Sequence, residues 1–171
     1  MILTQKEVWH QIELTNQTKK PWTAGSVMLM QGNQPLGQEV LTYTSPKNQA
    51  LIPITISVDT QSTVEDKELS REEKALSWFG ELYTQIHKEA TLKLRNSKPI
   101  SINAEITFRF GGKVEQVSDN GQATVDVFNQ ADWENYRNRS KHLNNRSTVS
   151  WQVTIKPGET FTPKVRYHYY W

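Results

Sequence analysis

Apolar and polar residues alternate along most of this chain. The longest alternating run places an apolar side chain at every second position from Ile100 to Phe110. Successive side chains of a β-strand point to opposite faces of a sheet, so a period of two is typical of half-buried strands. Comparable runs occur at 8–14, 52–58, 90–94, 149–155 and 161–171. The pattern predicts a protein built mainly of strands.

Short segments rich in Gly, Pro, Asn, Asp and Ser separate the runs, and these residues favour turns. Pro157-Gly158 is the clearest signal, because Pro presets the first central position of a turn and Gly accepts positive φ at the second. We therefore predict an all-β fold, an antiparallel β-sandwich of about eight to ten strands, immunoglobulin-like in the broad sense. The length of 171 residues fits a single domain over 1–171.

Two segments depart from the alternation. Residues 66–79 carry a weak helical stripe of apolar residues. The competing interpretation, which we favour, is a long charged hairpin tip that joins a strand at 52–65 to a strand at 81–95. Residues 126–147 have no sustained pattern and contain many Asn and charged residues, so we expect an irregular loop there.

A faint internal repeat links two places in the chain. Ile-Glu-Leu-Thr-Asn16 precedes Lys-Pro-Trp22, and Leu-Lys-Leu-Arg-Asn96 precedes Lys-Pro-Ile100. Each place predicts a strand, an Asn turn, a Pro and a second strand. Convergence of turn sequences and duplication of a segment explain this similarity equally well.

Composition excludes several kinds of chemistry. The chain has no Cys, which rules out disulfides, thiol catalysis and Cys-ligated zinc. Its formal net charge of +2 gives no reason to expect a nucleic-acid or membrane-surface partner. The first twenty residues contain no long apolar run, so we expect neither a signal peptide nor membrane insertion there.

No pattern of catalytic residues stands out. A Gly-x-Ser-x-Gly nucleophile motif is missing, and the acidic residues of 65–73 are interleaved with Lys and Arg, which is typical of a solvated, ion-paired face. We therefore predict a protein that is not an enzyme, with no catalytic residue, no metal ligand and no cofactor. The four histidines have no ligand spacing within one predicted element; they are His10, His87, His142 and His168.

Six tryptophans are many for this length, and most of them are expected to pack in the core, as Trp151 should between Val149 and Val153. Trp78 and Trp133 lie in irregular segments and are the best candidates for exposed binding residues, together with Tyr136. The basic residues after Tyr136 are diluted by nearby acidic ones, which argues against binding of single-stranded nucleic acid.

Several segments, in this order, resemble the DUF4139 domain, the C-terminal domain of bacterial mucoidy-inhibitor-like (MuiA) proteins. They are the run from Ile12 to Gly25, Leu41–Thr44, Ile54–Asp59, Leu92–Pro99 and the closing hairpin from Val149 to Tyr167. The resemblance covers most of the chain and consists of strand ends, Asn turns and the Pro-Gly turn. It implies a β-sandwich within a larger exported or envelope-associated bacterial protein, and it carries no catalytic residues.

These observations favour a non-catalytic structural or protein-interaction module, with a protein or other domains of the parent chain as its partner. The expected location is the periplasm, the cell envelope or the exterior, with any signal peptide upstream of these residues. The alternative is a carbohydrate-binding module that uses exposed tryptophans, which would require at least two open coplanar rings.

Overall fold

The computed structural model describes residues 7–126 and 143–171. These residues form antiparallel strands, which confirms the predicted all-β sandwich, although the strands are more numerous than predicted. The strands are β1 (Trp9–Thr15), β2 (Gly25–Gln31), β3 (Gln34–Leu41), β4 (Gln49–Ile56), β5 (Thr60–Trp78), β6 (Glu81–Asn96), β7 (Ile102–Gly111), β8 (Lys113–Val117), β9 (Gln122–Asp126), β10 (Arg146–Ile155), β11 (Thr160–Phe161) and β12 (Lys164–Tyr170).

The chain divides into two compact units. The small unit, Glu7–Val58, contains two two-stranded sheets, β1–β4 and β2–β3, and an isolated bridge between Trp22 and Thr44. The large unit comprises the described residues from Asp59 to Trp171. It contains a three-stranded sheet in the order β7-β10-β9 and a five-stranded sheet in the order β11-β6-β12-β8, to which β5 is added beside β6.

The core of the large unit is built from both of its sheets. Strands β7 and β10 contribute aromatic and aliphatic side chains from one sheet, and β6 and β12 contribute from the other. These are the inward positions of the alternating runs, as the period of two predicts. The fully packed members are Ala90, Leu92, Phe108, Phe110, Val149, Trp151, Val165 and Tyr167.

The favoured hairpin interpretation is correct, but residues 66–79 are not its tip: 66–78 belong to β5, which pairs with β6 except at two bulges, at Leu69 and at 73–75. The turn between the strands consists of Phe79 and Gly80, both at positive φ (50° and 79°), as expected of a two-residue hairpin turn that matches strand twist. The strand predicted at 52–65 is wrong as a single element. It is interrupted at 57–59, where a turn at Val58-Asp59 separates β4 from β5.

The bounds predicted for the irregular loop, 126–147, are too wide at both ends. Asp126 is the last residue of β9, and Arg146 and Ser147 belong to β10. Residues 127–142 lie outside the described part of the chain. In the described ranges, no helix is long and apolar enough to cross a bilayer.

A buried asparagine organises the end of β6. Asn96 is fully buried, and its Nδ2 donates hydrogen bonds to the carbonyl oxygens of Ile100 (2.9 Å) and Ile155 (3.0 Å). Its Oδ1 accepts a hydrogen bond from the backbone N–H of Lys98 at 3.0 Å. One side chain therefore fixes the turn that follows it and ties that turn to the end of β10.

The small unit contains the same arrangement around Asn16. This side chain is also fully buried, and its Nδ2 donates to the carbonyl oxygens of Lys20 (2.9 Å) and Thr44 (3.0 Å). Its Oδ1 accepts from the N–H of Thr18 at 3.0 Å. The two local offsets, of two and four residues, match those around Asn96. The distant partner in each unit is the residue just before a four-residue turn, so the faint repeat corresponds to one substructure that occurs in both units.

The flanking strands repeat as well. Leu14 lies opposite Ala50 in the small unit, and Leu94 lies opposite Phe161 in the large one. A four-residue turn precedes the second strand in each case, 45–48 and 156–159, and each is closed by a backbone hydrogen bond of 3.1 Å between its last and first residues. Shared register over paired strands is a stronger similarity than a shared turn sequence.

The two turns differ at their third position, which has positive φ in both. Lys47 is at 66° and Gly158 at 74°. A residue with a side chain is destabilised by about 1–2 kcal/mol in this conformation. Gly avoids that strain, but its more flexible unfolded chain costs about 0.5–1 kcal/mol of folding free energy. We expect Lys47→Gly to raise the free energy of unfolding by roughly 0.5 kcal/mol.

The reciprocal variant Gly158→Lys is the matched control, since no atom lies near a Cβ built at Gly158. It should lower the free energy of unfolding by a similar amount. Urea unfolding of both variants measures the effect, and a loss of stability in Lys47→Gly would show that the side chain of Lys47 contributes contacts of its own.

Candidate functional site

The predicted binding residues are only partly within the described chain. Trp78 is half-buried at the end of β5. Its ring centroid lies 4.9 Å from that of Phe79 at an interplanar angle of 71°, and 6.4 Å from that of Tyr83 at 57°. Trp78 therefore packs edge to face within the hairpin tip and forms no flat platform with these neighbours. Trp133 and Tyr136 lie outside the described residues.

Other tryptophans divide between core and surface. Trp151 is 3% exposed, which confirms its predicted core position. Trp9 and Trp171 are exposed, at 40% and 77%. They occupy opposite ends of the described chain and belong to different units. A sugar-binding pair of coplanar rings stays a prediction.

The acidic residues of 65–73 lie along β5, and three of them, Glu65, Asp66 and Glu68, form ion pairs. Hydrogen bonds from Lys93 to Glu65 and from Arg71 to Glu68 lower the pKa of both carboxyl groups. A general acid near neutral pH requires a raised pKa, so these carboxylates are poor candidates for that role. The closest contacts are Glu65–Lys93 at 2.8 Å, Asp66–Lys88 at 2.8 Å and Glu68–Arg71 at 3.1 Å.

The five-stranded sheet brings together two histidines and a glutamate from three strands, a cluster that the sequence spacing did not predict. His87 on β6 lies directly opposite His168 on β12, and Glu115 comes from β8 on the other side of β12. The carboxylate oxygen Oε1 of Glu115 lies 2.8 Å from Nδ1 of His87 and 2.7 Å from Nδ1 of His168. The signal available in the sequence was the alternation in β12, which places His168 on the face opposite Tyr167.

The same face of the sheet carries a second charged cluster. Glu89 accepts hydrogen bonds from Arg166 at 2.8 Å and Lys164 at 3.1 Å, and these bonds lower the pKa of its carboxyl group. The opposite face is the core, where the buried hydroxyl of Tyr167 donates to Asp66 at 3.1 Å. Burial raises the pKa of that hydroxyl. The His–Glu–His and Glu89 clusters thus lie on one face of the sheet and the core on the other, where the partly buried Asp66–Lys88 pair adjoins Tyr167.

The small unit has a different kind of surface. Met28, Met30, Leu36 and Val40 are 50–66% exposed, and all four lie on the β2–β3 hairpin. Strand β2, Gly-Ser-Val-Met-Leu-Met-Gln, contains no charged residue and no Pro. Among the strands that the structure describes, it pairs with β3 alone, so its outer backbone edge is open.

An open apolar depression of about 490 Å³ lies beside the start of this hairpin. Thr23 is the polar member of its lining. Formal charges within the small unit cancel, because Glu7–Val58 contains three Lys and three Glu. The lining residues, all in the small unit, are Leu14, Pro21, Trp22, Thr23, Val27 and Leu41.

No protein-family model, curated protein or solved structure matches this chain. The resemblance to DUF4139 is therefore neither supported nor opposed by a relative. Two features of the described residues have chemistry that suggests a function: the apolar β2–β3 hairpin and the His–Glu–His cluster.

Proposed function

We propose that this chain is a non-catalytic protein-interaction module, and that strand β2 with its hairpin partner β3 forms the contact surface. The observation that carries the proposal is an open strand edge without charge or Pro, bordered by exposed methionine and aliphatic side chains. The resemblance to DUF4139 adds the setting, a larger exported or envelope-associated bacterial protein.

The open edge suggests how a partner binds. An extended segment that aligns with β2 would satisfy the outward-pointing N–H and C=O groups with main-chain hydrogen bonds, and its alternate side chains would contact the apolar face. Natural proteins protect open edges with Lys, Pro, bulges or charges. Edge strand β7 of the large unit is protected in this way, since its exposed positions include Glu105 and Arg109, whereas β2 carries no charge.

The chemistry of the hairpin favours a protein over other partners. Nucleic acid would need a positive surface, and the charges of the small unit cancel. Sugars need aromatic faces ringed by several polar groups, whereas the depression beside the hairpin is mostly apolar and is lined by one aromatic residue, Trp22. Met28 and Met30 are flexible and polarisable, so they adapt well to the side chains of a partner.

Photo-crosslinking tests the proposal in the native host. A photoreactive amino acid is placed at Met28 of β2 and, as the matched control, at Glu105 of the other edge strand, β7. We expect protein adducts at position 28 and few at position 105. Mass spectrometry of the adducts then identifies the segment that contacts β2.

That segment, made as a synthetic peptide, should bind the purified chain in a fluorescence anisotropy titration. We expect Met28→Lys to weaken binding by at least about tenfold, because a charge would face an apolar contact, and Glu105→Lys to leave it unchanged. Equal adduct yields at the two positions, or a peptide that does not bind, would contradict the proposal. Adducts formed mainly with glycans would favour the carbohydrate-binding alternative.

A further inference from the structure

The geometry points to a binding site for one divalent transition-metal ion, zinc in the first place, formed by His87, Glu115 and His168. The site lies on the face of the five-stranded sheet opposite the core of the large unit. It is separate from the β2–β3 hairpin, and it holds or fails independently of the proposed interaction function.

The three ligand atoms converge on one point. Both imidazole Nδ1 atoms approach the same carboxylate oxygen of Glu115, at 2.7 and 2.8 Å, and all three ligand atoms lie within 4.8 Å of one another. In a tetrahedral zinc site with bonds near 2.0–2.1 Å, neighbouring ligand atoms are about 3.3 Å apart. An ion would be enclosed once the Glu115 carboxylate withdraws by about half an ångström and the two imidazoles, whose ligand atoms are up to 4.8 Å apart, turn toward each other.

A β-bulge sets the position of the carboxylate. Strand β8 pairs with β12 through Gln116 opposite Arg166 and Val114 opposite Tyr167, and the register passes over Glu115. The extra residue allows Val114 and Val117 both to pack against the core, while Glu115 contacts the histidines on the other face. Bulges commonly redirect a side chain beside a functional site, and this one delivers the third ligand.

The surroundings suit an open metal site. The side chains of His87, Glu115 and His168 retain 28%, 32% and 15% of their exposure, so an ion and water can reach them. Two imidazoles and one carboxylate are ligands that zinc accepts readily, and three protein ligands leave a position for water or a partner's donor. The bound ion would join β6, β12 and β8, which are far apart in sequence.

Isothermal titration calorimetry of the full 171-residue chain with ZnCl₂ tests the site. At about pH 7.5, above the ordinary pKa of imidazole, we expect one ion per chain. The variants His168→Gln and Glu115→Gln should each weaken binding by about tenfold or more, and His10→Gln, in the small unit, should bind as the unaltered chain does. Zinc should also raise the thermal midpoint of the unaltered chain by several degrees, and much less in the two site variants.

Cobalt gives a readout that does not depend on any variant. Co²⁺ bound to two imidazoles and a carboxylate in a four-coordinate site should show intense visible d–d absorption, which added Zn²⁺ should abolish. Circular dichroism of each variant checks that the strands are retained. Failure of the unaltered chain to bind Zn²⁺, or equal binding by a folded His168→Gln variant, would overturn the inference, the latter because the ion would then be held elsewhere.

Discussion

Replacing Trp151 with Ala should lower the free energy of unfolding by about 3–5 kcal/mol. The ring is 3% exposed and belongs to the core that joins the two sheets of the large unit. Its Nε1 donates a hydrogen bond to the carbonyl oxygen of Ser118 at 3.0 Å. A side chain at Gly121 would overlap the ring, so the indole fills its space closely. Ala at position 151 leaves a cavity and removes one of the two hydrogen bonds to the Ser118 carbonyl oxygen, which keeps the bond from the N–H of Gly121 at 3.2 Å.

The control for this prediction is Trp171→Ala. Trp171 is 77% exposed, and its backbone hydrogen bonds with Thr84 do not depend on the side chain. Its removal should cost under about 1 kcal/mol. Urea unfolding followed by circular dichroism measures both variants, and similar losses in the two would show that Trp151 does not occupy the core position described.

The second large effect is expected from Asn96→Ala. The substitution leaves the carbonyl oxygens of Ile100 and Ile155 and the N–H of Lys98 without the side-chain partner that they have at 2.9–3.0 Å. The hydrogen bond to Ile155 is buried and the other two are partly buried. An unsatisfied buried polar group costs about 1–3 kcal/mol, so the substitution should lower the free energy of unfolding by about 2–3 kcal/mol.

Asn103→Ala is the matched control, because Asn103 is an exposed asparagine on β7 whose hydrogen bond is to Thr154 at the surface. Its loss should fall within about 0.5 kcal/mol. The equivalent variant Asn16→Ala should also be strongly destabilising if the two units depend on the same substructure. If Asn96→Ala proved as stable as Asn103→Ala, the hydrogen bonds of Asn96 would not contribute to the stability of the large unit.

Much of the large unit could be predicted from the period of two. The inward positions of β7, β10 and β12 are the alternating apolar residues of the sequence, and Phe108, Val149 and Val165 are all in the core. The hairpin of β5 and β6 was also predictable, although its helical competitor had to be left open. Local pattern was sufficient here because one face of each strand is buried against the same core.

The small unit could not be predicted in the same way. Strands β2 and β3 went unpredicted, because their apolar residues do not alternate cleanly and Gly and Pro lie within β3. Four apolar side chains on this hairpin are exposed together, whereas the surface of a folded monomer rarely carries such a group of apolar side chains. A sequence pattern identifies residues that can be buried, and it does not say which of them the fold leaves open.

The His–Glu–His cluster was missed for a different reason. His168 and Glu115 are 53 residues apart and lie on neighbouring strands, so no spacing within one element brings them together. Their approach depends on strand order, on register and on the bulge at Glu115. These are properties of the assembled sheet, and a scan of ligand spacings cannot detect them.

Amide hydrogen exchange at β2 tests the interaction function most directly, because the proposal requires main-chain hydrogen bonds to a partner strand. The chain is compared alone and with the peptide identified by crosslinking at Met28. We predict that the β2 amides that do not bond to β3 become protected when the peptide binds, and that the amides of edge strand β7 do not change. Binding of the peptide with no added protection at β2, or with protection at β7 instead, would contradict the proposal.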